Sequence, residues 1–429
     1  MRSLKLLLAL YLPCLGALAQ TATATPTDNA HATDTGTAQA SSAPQSEQQS
    51  SLYLEAMQAL AEGRKRDASQ RLKKMTELEP RHAGAWLDLA LIQCELGNGA
   101  ETERLFKEIL ARFDPPQEIR DIIAKRRLLG CNAPRRRWNW SAGITRGYEQ
   151  NVNQGASQPT YSIGSGSNSV ELPLSSDFLP KADHYTVLNA DAHLDLDDNG
   201  RLLQLQWSAR RNDLLHQYDN GQLFIGLEQP WRLGDWRLQG SAWFGVMGLG
   251  GVLYQKQSQL QLRATVPWRL PPEWQFNLAL SASHLHYLTL TNFDANTQEL
   301  RAQLQYRKEE RSAQASLTWL NDHATADRPG GQRHGWLAQA SARERLFGNV
   351  SGEAAWSHQF WRGSSAYSPG VIEQVRQQNM QTLRLALHWP QGERHAWQLE
   401  WRAVRNRENI SIFQYNNRQL QLSWQWYSE

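Results

Sequence analysis

The stretch "WQLEWRAV" (397–404) alternates apolar and polar side chains at every residue. Trp397 and Leu399 stand on one face, and Gln398 and Glu400 stand on the other. A period of two is the spacing of a β-strand, in which successive side chains point to opposite faces. The stretch therefore predicts a strand with one apolar and one polar face.

The same rhythm recurs from residue 138 to the end of the chain. We predict fourteen strands, near 138–148, 184–196, 201–213, 221–229, 235–246, 253–268, 274–288, 297–310, 312–323, 332–347, 349–362, 375–390, 395–408 and 415–427. An even number of antiparallel strands returns the chain to the side where it began, as bacterial outer-membrane barrels do.

A soluble β-sandwich would also alternate, with its apolar face turned inward, so alternation alone does not separate the two architectures. Three features favour a membrane barrel. The strands are long, the polar face is rich in Gln, Arg, Asn and Glu, and Trp and Tyr cluster near strand ends. Seventeen of the eighteen Trp residues lie at or after Trp138. This change of composition indicates a boundary between two domains near residue 135.

The connections also favour a barrel. Even-numbered strands are followed by short turns, such as "DDNG" (197–200) and "FGN" (347–349). Several odd-numbered strands are followed by longer segments, at 149–183, 324–332 and 363–374. Short periplasmic turns and long surface loops are typical of outer-membrane barrels. We expect the segment 149–183 to be an irregular surface loop.

The first residues have the pattern of a secretory signal peptide (1–19), with the apolar run "LLLALYLPCLG" (6–16) before a small-residue cleavage site. Cys14 raises the alternative of a lipoprotein signal, but Pro13 stands where a small residue is expected. Residues 20–50 contain almost only Ala, Thr, Ser, Gln, Pro and small charged or polar residues. They predict a disordered leader, because they bury too little surface to offset the entropy of ordering.

Residues 51–134 predict a short periplasmic helical domain of the tetratricopeptide type. Positions 34 residues apart agree in character, the period of that repeat: Ala56 with Ala90, Gly63 with Gly97, and Leu72 with Phe106. A further helix over 117–130 would cap the two repeats. A generic helical hairpin domain is the alternative.

Cys94 and Cys131 remain after signal cleavage. An oxidising periplasm would permit a disulfide between them. A buried Cys94 and an unpaired Cys131 fit the sequence equally well.

The motif "GYEQNVNQGAS" (147–157) opens the longest loop. In a closed barrel the first strand pairs with the last, so this motif would stand beside the final surface turn. Asn151 and Asn153 are candidates to brace that seam, where a substrate could pass sideways. Simple turn chemistry is the alternative, because Asn and Gly tolerate positive φ.

A short tetratricopeptide unit joined to a fourteen-stranded barrel resembles the surface lipoprotein assembly modulator (Slam) family. The specific motifs are "GYEQNVNQG" (147–155) and "RENISIFQYNNRQLQLSWQWY" (407–427), and the resemblance covers about residues 52–429. It implies an outer-membrane factor that helps lipoproteins or related secreted proteins reach the cell surface. It places Tyr415 with the two asparagines at the seam.

The resemblance also implies partners. A groove in the helical unit would receive the exported protein, with four candidate contacts that could equally pack the core: Tyr53, Met57, Leu87 and Leu91. Membrane lipid would surround the barrel, and the barrel-assembly machinery would read its aromatic last strand. The residues of that assembly signal would be Trp424, Trp426 and Tyr427, although Ser428 and Glu429 follow where such barrels usually end on an aromatic residue.

Other function classes find less support. An exopolysaccharide exporter or a porin-type channel is the main alternative, because a lumen rich in Arg, Gln and Trp would suit a sugar chain. The sequence carries no G-x-S-x-G motif, no phosphate-binding loop and no metal-ligand spacing among its twelve His, so we expect neither catalysis nor a cofactor. A net charge of +3 is too small to indicate a nucleic-acid partner.

Overall fold

The computed structural model describes residues 43–131, 138–163, 170–197 and 200–428. These residues fall into a helical unit and a barrel unit, which are described separately. The predicted signal peptide lies outside the described residues.

The described part of the helical unit contains five helices. They are α1 (Ala43–Ala61), α2 (Lys65–Leu78), α3 (Ala83–Glu95), α4 (Gly99–Arg112) and α5 (Gln117–Leu129). Helix α5 occupies the segment that we expected to cap the repeats. No helix in the described ranges is both long and apolar enough to cross a membrane.

The 34-residue period is visible in the packing of these helices. Its two copies bury equivalent side chains, namely Ala56 with Ala90 and Leu72 with Phe106. Gly63 and Gly97 both have a positive φ, 75° and 79°, in the turn that follows the first helix of each copy. Glycine adopts this conformation without a steric penalty. The side chains of both copies merge into one core, as neighbouring repeats do.

Helix α1 begins at Ala43, so residues 43–50 are helical where the sequence predicted a disordered leader. That prediction is wrong for this part of the leader. Leu52 packs against the helical core. Once a helix is anchored by Leu52, extending it toward the N-terminus costs little free energy, because each added residue gains a backbone hydrogen bond without a new nucleation step. Residues 20–42 lie outside the described ranges.

Cys94 and Cys131 form a disulfide, and their Cα atoms lie 4.6 Å apart. Cys94 is on α3, and Cys131 follows the end of α5. The bridge therefore fastens the capping helix to the second repeat. Of the two possibilities that the sequence left open, the structure contains the paired one.

From Trp138 onward, the described residues contain sixteen strands, and fourteen of these strands close a barrel. The strands are β1 (Trp138–Glu149), β2 (Thr160–Ile163), β3 (Val170–Pro173), β4 (Asp183–Asp195), β5 (Leu202–Asn212), β6 (Asn220–Leu233), β7 (Trp236–Leu249), β8 (Val252–Thr265), β9 (Trp274–Tyr287), β10 (Ala295–Lys308), β11 (Arg311–Ala324), β12 (Arg333–Phe347), β13 (Val350–Ser368), β14 (Ile372–Gln391), β15 (His395–Glu408) and β16 (Tyr415–Tyr427). Strands β2 and β3 pair only with each other.

Strand β1 closes the barrel by pairing antiparallel with β16. At this seam Ser141 stands opposite Tyr427 and Glu149 opposite Gln419. On its other side β1 pairs with β4. The predicted number of barrel strands and their closure are confirmed. The upper end of the barrel is defined here as the end where β1 stops and residues 150–182 leave it.

The two faces of the barrel wall differ in character. Outward-facing Leu260 and Leu280 are 66% and 58% exposed, whereas inward-facing Asn277 and Thr318 are 3% and 0% exposed. A closed cylinder with an apolar outer belt and a polar inner face is stable in lipid. The closure excludes the soluble sandwich, which has two separate sheets.

Aromatic side chains concentrate on the outer face at the lower end. Trp397 stands opposite both Trp389 and Trp424, and the rings of Trp397 and Trp424 lie 4.3 Å apart edge to face. Among the described tryptophans of the barrel strands, only Trp243 and Trp361 share the inner face, opposite Gly226 and Gly335. The expected Trp-rich lumen is therefore wrong, because the amphipathic indole rings lie at the membrane boundary instead.

Two expectations about the connections are also wrong. The segment 149–183 is not irregular throughout, because it contains the β2–β3 hairpin. Most of 363–374 is strand, because β13 and β14 continue past the barrel as one long hairpin. In both places the chain satisfies its backbone hydrogen bonds by pairing with itself. Strand β8 ends early, which lengthens a lower turn to 266–273 and weakens the short–long alternation.

Candidate functional site: the barrel seam and its upper rim

Asn151 joins the first strand, the last strand and the loop between β1 and β2. It is 1% exposed. Its backbone N–H donates to Asn417 Oδ1 at 3.1 Å, and its side-chain amide donates to the carbonyl oxygens of Asn416 (3.0 Å) and Gly155 (2.9 Å). Its Oδ1 accepts from the Gly155 N–H at 2.7 Å. Asn151 therefore fastens the upper end of the seam.

Asn153 acts within the loop. Its side-chain amide donates to the carbonyl oxygens of Asp177 (3.2 Å) and Leu179 (2.8 Å), and its Oδ1 accepts from the Lys181 N–H at 2.9 Å. These bonds tie the outgoing part of the loop to its return toward β4. The two asparagines therefore hold different structures together, and Asn151 is the one that contacts β16.

Both glycines of the motif at 147–155 make room for a neighbour. A Cβ on Gly147 would lie 2.5 Å from the Tyr185 ring, and a Cβ on Gly155 would lie 2.3 Å from the carbonyl carbon of Leu179. Strand β4 and the returning loop thus pass directly over these positions. The sequence pattern did not indicate Tyr185, although its position on the inward face of β4 could have.

Tyr185 connects β4 to β16 across the inner face of β1. It is 2% exposed, and its hydroxyl donates to Gln421 Oε1 at 2.8 Å. The Arg210 guanidinium lies 3.8 Å from the centre of its ring and forms an ion pair with Glu149 at 2.6 Å. Asn417 also donates to Glu149. The seam is consequently reinforced by side chains from four strands.

The final loop, residues 409–414, is fastened in a similar way. The Arg376 guanidinium makes a bidentate ion pair with Glu408, at 2.7 and 2.8 Å, and lies 4.2 Å from the centre of the Phe413 ring. Asn406 donates to the Phe413 carbonyl at 2.8 Å. Tyr415 lies at the end of this loop, 4% exposed, with its hydroxyl 3.8 Å from the Met380 sulfur.

At the upper end, backbone hydrogen bonds link neighbouring hairpins around the barrel, either from connection to connection or from a connection to the upper part of the adjoining strand. The bonds, donor first, are Ser157 to Gln414, Asp213 to His184, Gly250 to Asp219, Leu288 to Tyr254, Thr325 to Asp294, Ser364 to Gly330 and Asn409 to Gln377. The circle is complete, and it includes the seam. The upper rim is therefore a continuous hydrogen-bonded ring.

At the lower end, the seam runs past the predicted assembly signal. Trp424 and Trp426 lie on the outer face of β16, 6.0 Å apart, and Tyr427 stands opposite Ser141. Ser428 exchanges two hydrogen bonds with Trp140, each 2.8 Å long. The residue after the aromatic end thus extends the seam by one more pair.

The four predicted groove residues lie on α1 and α3, the first helices of the two repeats. All four pack against the helical core and keep part of their surface exposed: Tyr53, Met57, Leu87 and Leu91. The Tyr53 hydroxyl donates to Asp88 at 2.7 Å. Burial, followed by this hydrogen bond, raises the pKa of Tyr53 to about 12.

Charged side chains on the inner wall are paired across neighbouring strands. Arg384 lies between Glu400, at 2.7 Å, and Glu353, and Arg402 pairs with Glu400 at 3.0 Å. These residues span β13, β14 and β15. The described residues include no group of three or more His, Cys, Asp or Glu that could hold a metal ion.

Comparison with known proteins agrees with both units. The tetratricopeptide repeat family matches residues 59–125. No curated protein matches the chain. The helical unit is thus of the tetratricopeptide type, and it precedes a closed fourteen-stranded barrel of the kind seen in outer-membrane proteins.

Among solved structures, the chain is similar to a loop L8 deletion mutant of OmpT, an outer membrane protein of Vibrio cholerae (5% identity, 68% of this chain and 99% of that chain, TM-score 0.38). It is also similar to the outer membrane channel DcaP of Acinetobacter baumannii (10%, 68% and 97%, TM-score 0.39). A third is a Pseudomonas aeruginosa FadL homologue (10%, 68% and 90%, TM-score 0.36). These distant likenesses carry no argument about what the barrel transports.

Proposed function

We propose that this chain is an outer-membrane export factor that helps surface lipoproteins, or related secreted proteins, reach the cell surface. The barrel would span the outer membrane with its upper end outside, and the helical unit would lie in the periplasm. One observation carries the proposal. The two Slam-like motifs, 266 residues apart at Asn151 and Asn417, meet at the barrel seam.

The helical unit supplies a place for the exported protein. Stacked tetratricopeptide repeats form concave surfaces that bind extended segments. Tyr53, Met57, Leu87 and Leu91 are partly exposed on the first helices of the two repeats, where such a segment would contact them. Two repeats offer a small surface, so binding there would be weak and reversible.

The barrel supplies the route. Its inner wall is polar, and the Glu353–Arg384–Glu400 chain neutralises charge locally, which suits a polypeptide of mixed charge. The seam between β1 and β16 would open for the substrate, and the hydrogen bonds of Asn151 would hold it closed otherwise. Export of a polysaccharide is less well supported, because the lumen is not rich in the Trp side chains that would suit a sugar chain. Of the described strand tryptophans, only Trp243 and Trp361 face inward.

Deleting the gene and comparing surface proteins tests the proposal. Intact cells of the deletion strain, and of the strain complemented with the wild-type gene, are treated with protease and the accessible proteins are identified. We expect one or a few lipoproteins or secreted proteins to lose accessibility in the deletion strain and regain it on complementation. An unchanged surface, with steady ion conductance by the purified protein in planar bilayers, would favour a porin-type channel.

A further inference from the structure

Five arginines stand on the outer face of the barrel around the seam, near its upper end. They are Arg146 on β1, Arg211 on β5, Arg405 and Arg407 on β15, and Arg418 on β16, and all are exposed. These strands and β4 are consecutive neighbours in the sheet. The five residues are called the outer basic sector.

Each of these side chains lies within three residues of the upper end of its strand, although Arg146 stands opposite Leu422, four residues below Arg418. Arg405 stands opposite Asn416, and Arg418 stands opposite Ala403, two residues below Arg405 on the same face. Arg146 stands opposite Thr186 and donates to its hydroxyl at 3.1 Å. The Asp213 N–H donates to the His184 carbonyl, which sets the end of β5 beside the start of β4.

Further down the same strands and β4, apolar side chains occupy the outer face. They are Ile144, Leu188, Trp207, Leu420 and Leu422, all exposed. The sector therefore stands at the upper boundary of the lipid-facing belt, where the polar headgroups of a membrane begin.

Most of the sector has no counter-charge in the protein. Among the described residues, no carboxylate lies within ion-pair distance of Arg211, Arg405, Arg407 or Arg418. Only Arg146 has one, a pair with Asp213 at 2.8 Å. The inner wall is different, because Arg376 and Arg384 there hold carboxylates.

The rest of the outer rim is mostly uncharged. The outer face of β9 to β14 carries histidine and amide side chains at the corresponding height, which bond to one another. His284 bonds with Asn296 at 2.8 Å, and His323 bonds with Asn321 at 2.9 Å. Lys256 on β8 and Arg362 on β13 are single cations on this side of the barrel. Positive charge is thus concentrated on one side of the barrel.

We propose that the outer basic sector binds phosphate groups of a lipid headgroup in the membrane leaflet at the upper end. Arginine forms paired hydrogen bonds with phosphate oxygens, and a guanidinium at a membrane boundary extends toward the headgroups. Neighbouring strands lie about 4.8 Å apart, so β15 to β5 span about 19 Å. That width accommodates a headgroup with two phosphates. The inference rests on the proposed orientation, in which the upper end lies in the outer leaflet.

Lipid capture by the purified protein tests this inference. The probe is bisphosphorylated lipid A, added to the full chain in non-ionic detergent and detected by native mass spectrometry. The variant is Arg211→Gln/Arg405→Gln/Arg418→Gln, and the matched control is Lys256→Gln/Arg362→Gln on the opposite side. We expect the wild type and the control to retain the lipid, and the triple variant to bind it at least tenfold more weakly. Heat-modifiable migration in gels verifies that each barrel is folded.

Further outcomes of the same experiment distinguish a lipid headgroup from other sources of phosphate. Equal binding by the triple variant and the control would overturn the proposal. Displacement by millimolar inorganic phosphate would also overturn it, because the site would then be a free-anion site. Equally tight binding of phosphatidylglycerol, which carries one phosphate, would overturn the inference that the sector fits a headgroup with two phosphates. A separate measurement, antibody access to a tag inserted at Gly370 on intact cells, reports the orientation of the barrel. A reversed barrel would contradict the proposed function and is thereby distinguished from a failure of lipid binding.

Discussion

The backbone N–H of Asn151 donates to the side chain of Asn417, which joins the end of the first barrel strand to the beginning of the last. The same asparagine bonds to Asn416 and twice to Gly155. A single buried side chain therefore ties the seam to the loop that rises from it. This arrangement makes the upper end of the seam a defined structural element whose strength can be tested.

Asn151→Ala should weaken the seam. The substitution removes three side-chain hydrogen bonds, and it leaves the buried N–H and carbonyl of Gly155 and the partly buried Asn416 carbonyl without those partners, at a cost of about 1–3 kcal/mol. Hydrogen exchange in detergent should show faster exchange at residues 415–420. Asn153→Ala is the matched control, and it should affect residues 177–181 instead. Identical exchange patterns in the two variants would contradict the distinct roles.

A disulfide across the seam should stop export. Thr145 and Ser423 stand opposite each other on β1 and β16, and their hydroxyl oxygens are 2.8 Å apart. We expect Thr145→Cys/Ser423→Cys to block surface display when oxidised and to recover on reduction. The control is Thr265→Cys/Asn277→Cys, a facing pair on β8 and β9 with oxygens 2.9 Å apart. Normal display by the oxidised seam variant would show that substrates do not need the seam.

Gly147→Ala should destabilise the barrel by about 1–3 kcal/mol, since the new methyl group would lie 2.5 Å from the Tyr185 ring. Displacing the ring breaks its bond to Gln421. In the double variant with Tyr185→Ala, the added cost of Gly147→Ala should fall, because the clash is absent and contacting residues are not additive. Denaturant unfolding from detergent measures both effects. Full additivity would argue against the predicted clash.

Removing Arg376 should cost far more stability than removing Arg345. Arg376 and its partner Glu408 have side chains only 10% and 0% exposed, whereas Arg345 and Glu310 are 54% and 59% exposed. Breaking a buried ion pair costs about 3–5 kcal/mol, and an exposed pair contributes about 0–1 kcal/mol. Thermal unfolding of Arg376→Ala and Arg345→Ala should separate them clearly. Equal losses would mean that water reaches Arg376.

Replacing both cysteines by serine should destabilise the helical unit. Cys94 and Cys131 are 37 residues apart in sequence, and closing such a loop stabilises the fold by about 3–4 kcal/mol in the chain-entropy account. The helical signal of the full chain in detergent should melt at a lower temperature, and chemical reduction of the wild type should give the same shift. An unchanged melting temperature would show that α5 is held by packing alone.

The barrel was predictable because its pattern is local. Strands such as 397–404 show both faces in consecutive residues, and Ala56 and Ala90 mark the helical repeat by spacing alone. The β2–β3 hairpin was not predictable, because its two strands have only four residues each. The roles of Tyr185 and Arg210 depend on cross-strand register, which no local pattern contains. Asn151 and Asn153 look alike in sequence, and only the path of the chain separates their partners.

We propose a membrane-spanning barrel whose upper end faces outward, and the two ends of one strand test this orientation most directly. Gly370 lies in the turn before β14 and Gly392 in the turn after it, both with positive φ. An epitope tag is inserted after each in separate strains, and antibody binding is measured on intact and on permeabilised cells. We expect the Gly370 tag to bind antibody on intact cells and the Gly392 tag to bind it only after permeabilisation. Binding of the Gly392 tag on intact cells, or of neither tag before permeabilisation, would contradict it.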